Sequence, residues 1–167
     1  MIPENIDIDA LARELEDDAV AMGQGTGEQY PALETDLISV MEEAAEGEFG
    51  SLGHVVLDST PAVTADLRDI AQELLDATSL DTVVVRAPGS GAVVSDVHSR
   101  ASLEAAQHEM LQTFDYVEGA SLLIRDVTES GIGSIDWGQL AIWGAVALLT
   151  VLIISAMFVR KSNGDLS

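Results

Sequence analysis

Residues 53–88 read GHVVLDSTPAVTADLRDIAQELLDATSLDTVVVRAP, and the alternation of run types within them decides the fold class. A short apolar run, His54 to Leu57, is bounded by Gly53 and by the turn formers Asp58 to Pro61, the pattern of a buried strand. Leu67, Ile70, Ala71, Leu74 and Leu75 then recur at three-and-four spacing, which predicts a helix with one buried stripe, Thr64 as its N-cap and Asp66 in its positive first turn. Residues 81–88, DTVVVRAP, are a second buried strand. Strand, helix and strand at this separation predict a right-handed crossover between parallel strands. The tight PGSG reversal, Pro88 to Gly91, then predicts an antiparallel third strand in AVVSDVHSR.

Outward from this unit the readings are helical. Towards the N-terminus, Asp7 or Asp9 can cap a helix whose stripe is Ile8, Leu11, Leu15, Ala19 and Met22, broken at the glycines of MGQGTG. Residues 23–31 are expected to be flexible. A second helix after Pro31 carries Leu33, Leu37, Val40, Met41 and Ala44 on one face and is stopped by Gly47. Towards the C-terminus one helix places Leu103, Ala106, Met110 and Phe114 together, and another places Val117, Ala120, Ile124 and Val127 together. The expected fold is α/β, a small mixed sheet covered by helices, followed by one C-terminal transmembrane helix.

That last element rests on Leu140 to Val159, twenty uncharged residues followed by Arg160 and Lys161. At 1.5 Å per residue such a helix is about 30 Å long, the thickness of a bilayer's hydrocarbon core. The domain plan is therefore an acidic head over 1–130, a linker over 131–139, a span over 140–159 and a short basic-edged tail over 160–167. Trp137, Trp143, Arg160 and Lys161 are the expected membrane-anchoring residues. Ala141 and Ala145 have the small-xxx-small spacing that lets two spans approach closely.

The 167 residues carry a formal charge of −22, and since Arg160, Lys161 and Asp165 give the tail +1, the head carries −23 with five Arg and no Lys. Phosphate backbones repel such a head, so no nucleic acid is expected as a partner. The bilayer, through the C-terminal helix, and a protein partner in the envelope are expected instead. With no cysteine, thiolate catalysis, disulfides and iron–sulfur clusters are excluded. The N-terminus lacks a basic segment and an apolar core of signal type, so the head is expected to begin near residue 1. Arg160 and Lys161 against Arg125 favour an external head by the charge rule. A span this close to the end of the chain favours tail anchoring, so a cytoplasmic head is expected, with an external head as the alternative.

IDIDALARELEDDAV at the start, VVLDSTP followed by LRDIA, TVVVRAP, the SLEAAQ segment and the closing span resemble, in that order, a family of small actinobacterial membrane proteins known from mycobacteria and corynebacteria. The middle of the chain also resembles a diverged TPM domain, in which helix, strand, helix and a strand hairpin follow one another. The TPM resemblance implies acid phosphatase activity or calcium binding in some members and assembly of membrane complexes in others. VHSRASLEA stands where TPM domains usually carry a glycine-rich turn, a departure that weighs against enzyme activity.

Three constellations bear on chemistry. Asp58 ends the first strand, and with Asp66 and Asp69 it offers hard oxygen ligands of the kind calcium or magnesium takes. Their spacing matches no calcium loop, and the alternative is that Asp58 and Ser59 make a turn. Glu104 and His108 share a helical face, with His98 just upstream, as a metal set or as a solvated pair. His54 reads as a hydrogen-bonded structural residue. No G-x-S-x-G elbow is present. No cofactor is expected, with calcium or magnesium as the alternative. The expected function is a non-enzymatic, single-pass interaction or scaffold protein, the alternative being a divalent-metal-dependent phosphatase of TPM type. An Arg at Leu149, near the centre of the expected span, should cost about 2.5–3.5 kcal/mol on insertion scales and shift protein to the soluble fraction; unchanged membrane retention of Leu149→Arg on fractionation would refute the span.

Overall fold

A computed structural model of the chain describes residues 2–133. Six helices and four strands follow in the order α1 (Ile8–Asp18), β1 (Val20–Met22), α2 (Gln24–Gln29), α3 (Leu33–Glu46), β2 (Leu52–Val56), α4 (Asp66–Ala77), β3 (Thr82–Ala87), β4 (Ser90–Ser95), α5 (Arg100–Met110) and α6 (Tyr116–Gly133). The compact unit holding the head runs Met1–Ile132. The last helix thus runs past residue 130 into the segment read as linker. No helix among the described residues is long and apolar enough to cross a membrane. The expected span over 140–159, with Trp137, Trp143, Ala141, Ala145, Arg160 and Lys161, lies outside the described residues.

The strands form one sheet in the order β1-β2-β3-β4. β1 pairs parallel with β2 and β2 parallel with β3, while β3 and β4 form the antiparallel hairpin. Register sorts the side chains into two cores. Ala21, Val55, Val85 and Ala92 are aligned across the sheet and pack with Leu15 of α1 and Leu67, Ile70, Ala71, Leu74 and Leu75 of α4. Val20, His54, Val84 and Val93 are aligned on the other face, where the apolar members pack with Leu37 and Met41 of α3, Leu103 and Met110 of α5, and Leu123 of α6. Both faces of β2 and β3 are therefore buried throughout, which is why these strands read as mainly apolar runs without a polar alternation.

Both parallel connections step the same way across the sheet, yet α3 and α4 lie on opposite faces. The two crossovers consequently have opposite hands, and one departs from the right-handed rule. The exposed edge of β4 is covered by Gln107 of α5, which accepts from the Val93 amide at 3.2 Å and donates to the Gly91 carbonyl at 3.4 Å. Such capping of an edge blocks pairing with another chain.

Several expectations change. The first helix does not carry Ala19 and Met22: Ala19 turns left-handed at φ 66° and the chain enters β1. Positions 15, 19 and 22 fit a helical stripe, but Val20, Ala21 and Met22 gain a parallel ladder with β2 that local periodicity does not reveal. Residues 23–31, read as flexible, contain α2. Thr64 is not the cap of α4; Ala65 is, without a side-chain bond. Phe114 does not continue the α5 stripe, since that helix ends at Met110 and Phe114 is 90% exposed. By contrast Asp7 caps α1 by accepting from the Ala10 amide at 3.0 Å, and Gly47 ends α3.

His54 also differs from its reading. It is fully buried on β2, and neither ring nitrogen has a hydrogen-bond partner among the described residues. Burial first, and the nearby charge of Arg86 second, lower its pKa from 6.5 to about 3. Unfolding restores the ordinary value, so between pH 6.5 and about 3 the unfolded chain binds a proton that the folded one does not. Stability is therefore full above that window and falls as pH drops through it, by up to about 1.4 kcal/mol per pH unit. The carboxylates of Asp58 and Asp81, held below their ordinary range, add acid sensitivity only at lower pH. The urea midpoint should fall between pH 6.5 and 4.5, a trend that His54→Leu should flatten; a wild-type midpoint constant over that range would contradict the burial of a neutral imidazole.

Candidate functional site

The two ends of the sheet are built differently. At the amino ends of β2 and β3, Asp81 accepts from the Ser51 amide at 3.0 Å and from Ser51 Oγ at 2.7 Å. Ser51 Oγ accepts from the Asp81 amide at 2.9 Å, and Ser95 Oγ donates to the Asp81 carbonyl at 2.9 Å. Gly50, at φ 93°, lets the backbone pass the Asp81 carboxylate. This end is pinned by its own polar groups.

At the carboxyl ends the chain leaving β1 turns to one face and the chain leaving β2 to the other. That divergence opens a crevice outside the sheet, the usual place of ligand sites in open α/β folds. Asp58 stands in it. Its carboxylate accepts from the Thr26 amide at 2.7 Å, Thr26 Oγ1 at 2.8 Å and the Gly25 amide at 3.1 Å. The Thr26 amide first, helped by the Thr26 hydroxyl and Gly25 amide, holds the Asp58 pKa below the ordinary carboxylate value. Asp58 therefore satisfies the orphan amides of α2 from 32 residues away in sequence. A Cβ at residue 23 would collide with this carboxylate, so Gly23 permits the approach. Nothing in the local sequence of GQGTG marks it as a helix start; the cap comes from another strand.

Beside Asp58 the crevice widens into a cleft of about 780 Å³ to which three further segments contribute. The α2–α3 junction gives Tyr30 and the first turn of α3 gives Asp36, the end of β3 gives Arg86 with Pro88 and Gly89 of the hairpin, and the α5–α6 junction with the start of α6 gives Phe114, Asp115 and Tyr116. Asp115 Oδ1 caps α6 by accepting from the Val117 and Glu118 amides at 2.9 and 3.1 Å. Tyr30 is 50% exposed and Phe114 90%. Arg86 is only 3% exposed. Its Nη1 donates to the Met110 carbonyl at 3.0 Å and its Nη2 to the Thr113 carbonyl at 3.2 Å, a cation at the C-terminal end of α5. Its guanidinium carbon lies 5.2 Å from the Tyr116 ring centroid. Gly91, opposite it in the hairpin, and Gly119 leave the room it occupies.

The residues of the other expected sets take the following places. Among the described residues no group of three or more His, Cys, Asp and Glu side chains is placed to hold a metal ion. Asp66 and Asp69 lie in the first turn of α4, while Asp58 turns its carboxylate to α2. Glu104 pairs with Arg100 at 2.7 Å rather than with His108. His98 Nε2 contacts the Phe49 carbonyl at 2.8 Å, with the two rings 4.5 Å apart. Thr26, Tyr30, Arg86 and Tyr116 were not singled out by sequence; an Arg closing an apolar strand, TVVVRA, was the one available signal.

A family model described as Membrane protein Rv1476 matches residues 1–165. The chain belongs to the Rv1476 membrane protein family. Among curated proteins none matches it. The solution structure of the N-terminal domain of the cg2496 protein from Corynebacterium glutamicum is similar, at 16% identity and a TM-score of 0.51, covering 81% of this chain and 91% of that one. At that identity the likeness shows the fold alone. In this member of the Rv1476 family the mixed four-stranded sheet flanked by helices is thus a shared architecture.

Asp58→Ala should destabilise α2 by about 1 kcal/mol, the usual worth of an N-cap. Amide exchange at Gly25 and Thr26 should then accelerate about fivefold while Val84 stays protected. Unchanged exchange at both amides would show that Asp58 is not what holds the helix.

Proposed function

We propose that the protein is a non-enzymatic, single-pass membrane-anchored docking protein of the cell envelope, whose acidic head takes a basic segment of a partner protein into the cleft. The observation that carries this reading is that two exposed aromatic rings, Tyr30 and Phe114, line one cleft together with Asp36 and Asp115. Exposed aromatic side chains gathered at a concave site are the usual anchors of protein interfaces. The rim carboxylates, on a head of charge −23, steer and select a cationic partner. Asp58 supports docking over hydrolysis, because its carboxylate is committed to α2 by three hydrogen bonds.

The reading takes the head as a diverged TPM-like domain, supported by the succession β2, α4 and the β3–β4 hairpin. It takes residues 140–159 as the span and the head as cytoplasmic. A photo-crosslinking amino acid at Phe114 should capture a partner in intact cells, whereas the same group at exposed Glu73 on α4 should not. Equal capture at both positions, or none at Phe114, would sink the docking reading.

A further inference from the structure

Arg86 poses a problem that its hydrogen bonds do not solve. A guanidinium buried to 3% exposure is expected to have an anionic neighbour, since a buried charge without a counterion is strongly unfavourable. The chain has 29 acidic residues, yet among the described residues no carboxylate pairs with Arg86. The two bonds to the Met110 and Thr113 carbonyls use two of the five donors of a guanidinium. Nε is buried without a partner. The same side chain lines the cleft, together with Asp36, Asp58 and Asp115. Cleft chemistry is therefore two-signed: one buried cation facing a ligand volume whose other charged walls are anionic.

We propose that Arg86 receives the free C-terminal carboxylate of a peptide, inserted chain-end first, while a basic side chain just before that terminus meets Asp36 and Asp115 at the rim. The inference rests on the docking reading above and specifies what part of the partner enters. A terminal carboxylate supplies the missing counterion and matches the fork of guanidinium donors. An internal basic segment supplies only the rim contacts and leaves Arg86 uncompensated. A wholly anionic ligand would meet three carboxylates around the one cation. Tyr116, whose ring centroid lies 5.2 Å from the guanidinium carbon, and Pro88 line the same cleft, so apolar surface is available to the residues next to the terminus.

The test uses the full chain in mild detergent, with acetyl-lysyl-alanine as free acid and as C-terminal amide, followed by nitrogen-15 NMR shifts of the Arg86 Nε–H and the Gly89 amide. The free acid should shift both saturably, and the amide should need about tenfold more for the same shift, the worth of one charge-assisted hydrogen bond. Acetyl-alanyl-alanine, lacking the basic side chain, should bind more weakly than the lysyl acid. Arg86→Lys, checked for native folding by its amide spectrum, should lose the preference for acid over amide. Equal binding of acid and amide, or no shift with either, overturns carboxylate recognition while leaving crosslinking at Phe114 to judge the docking reading. Stronger shifts with inorganic phosphate than with the lysyl acid would mark a phosphate site instead and equally overturn the proposal.

Discussion

Burial of β2 and β3 on both faces is the constraint from which the remaining architecture follows. Two adjacent strands that are apolar on each side need helices on each side. With only the β1–β2 and β2–β3 connections available between parallel strands, the chain sends α3 to one face and α4 to the other. The helices outside these crossovers complete the layers, α1 beside α4 and α5 and α6 beside α3. Opposite-handed crossovers are the topological consequence, and so is the crevice beyond the carboxyl ends, because neighbouring strand exits diverge there.

Polar groups then distinguish the two ends of an otherwise apolar sheet. At the amino ends Asp81, Ser51, Thr82 and Ser95 satisfy one another over short distances. The carboxyl ends are satisfied by groups brought from far along the chain, Asp58 to α2 and Arg86 to the end of α5. Between them lies His54, its neutral ring without a hydrogen-bond partner among the described residues, inside the face that α3, α5 and α6 cover. Its place on β2, between the rows holding Val20 and Val84, gives it apolar neighbours across both ladders. The same face thus holds two buried nitrogenous side chains whose charging is resisted by desolvation first. Arg86 keeps its charge because a guanidinium remains protonated under all ordinary conditions, whereas an imidazole yields its proton.

The cleft is a by-product of this arrangement. Its walls come from segments that have nothing in common locally: a short helix held by a distant carboxylate, the turn of a hairpin, and the junction of two helices. Aromatic rings are scarce in this chain, yet Tyr30, Phe114 and Tyr116 all lie here. Loops carried by a rigid sheet can hold such groups at fixed separations, as binding surfaces require.

The sequence by itself determined what depends on period and composition. The apolar runs at 54–57 and 83–85, the stripe of α4, the capping by Asp7 and the stop at Gly47 are local consequences of side-chain spacing and backbone preference. Net charge and the lack of cysteine likewise narrow the chemistry without any coordinates. Only the tertiary structure decided that Val20–Met22 form a strand, since a three-residue ladder exists only when β2 lies alongside. It alone decided that 24–29 coil into a helix, because the cap is a carboxylate 32 positions away. The bonding of Asp58 to the start of α2, and the gathering of Arg86 with Tyr30, Phe114 and Tyr116 along one cleft, are three-dimensional facts of the same kind. Local patterns record which face of an element is buried; they carry no record of which distant group will meet it.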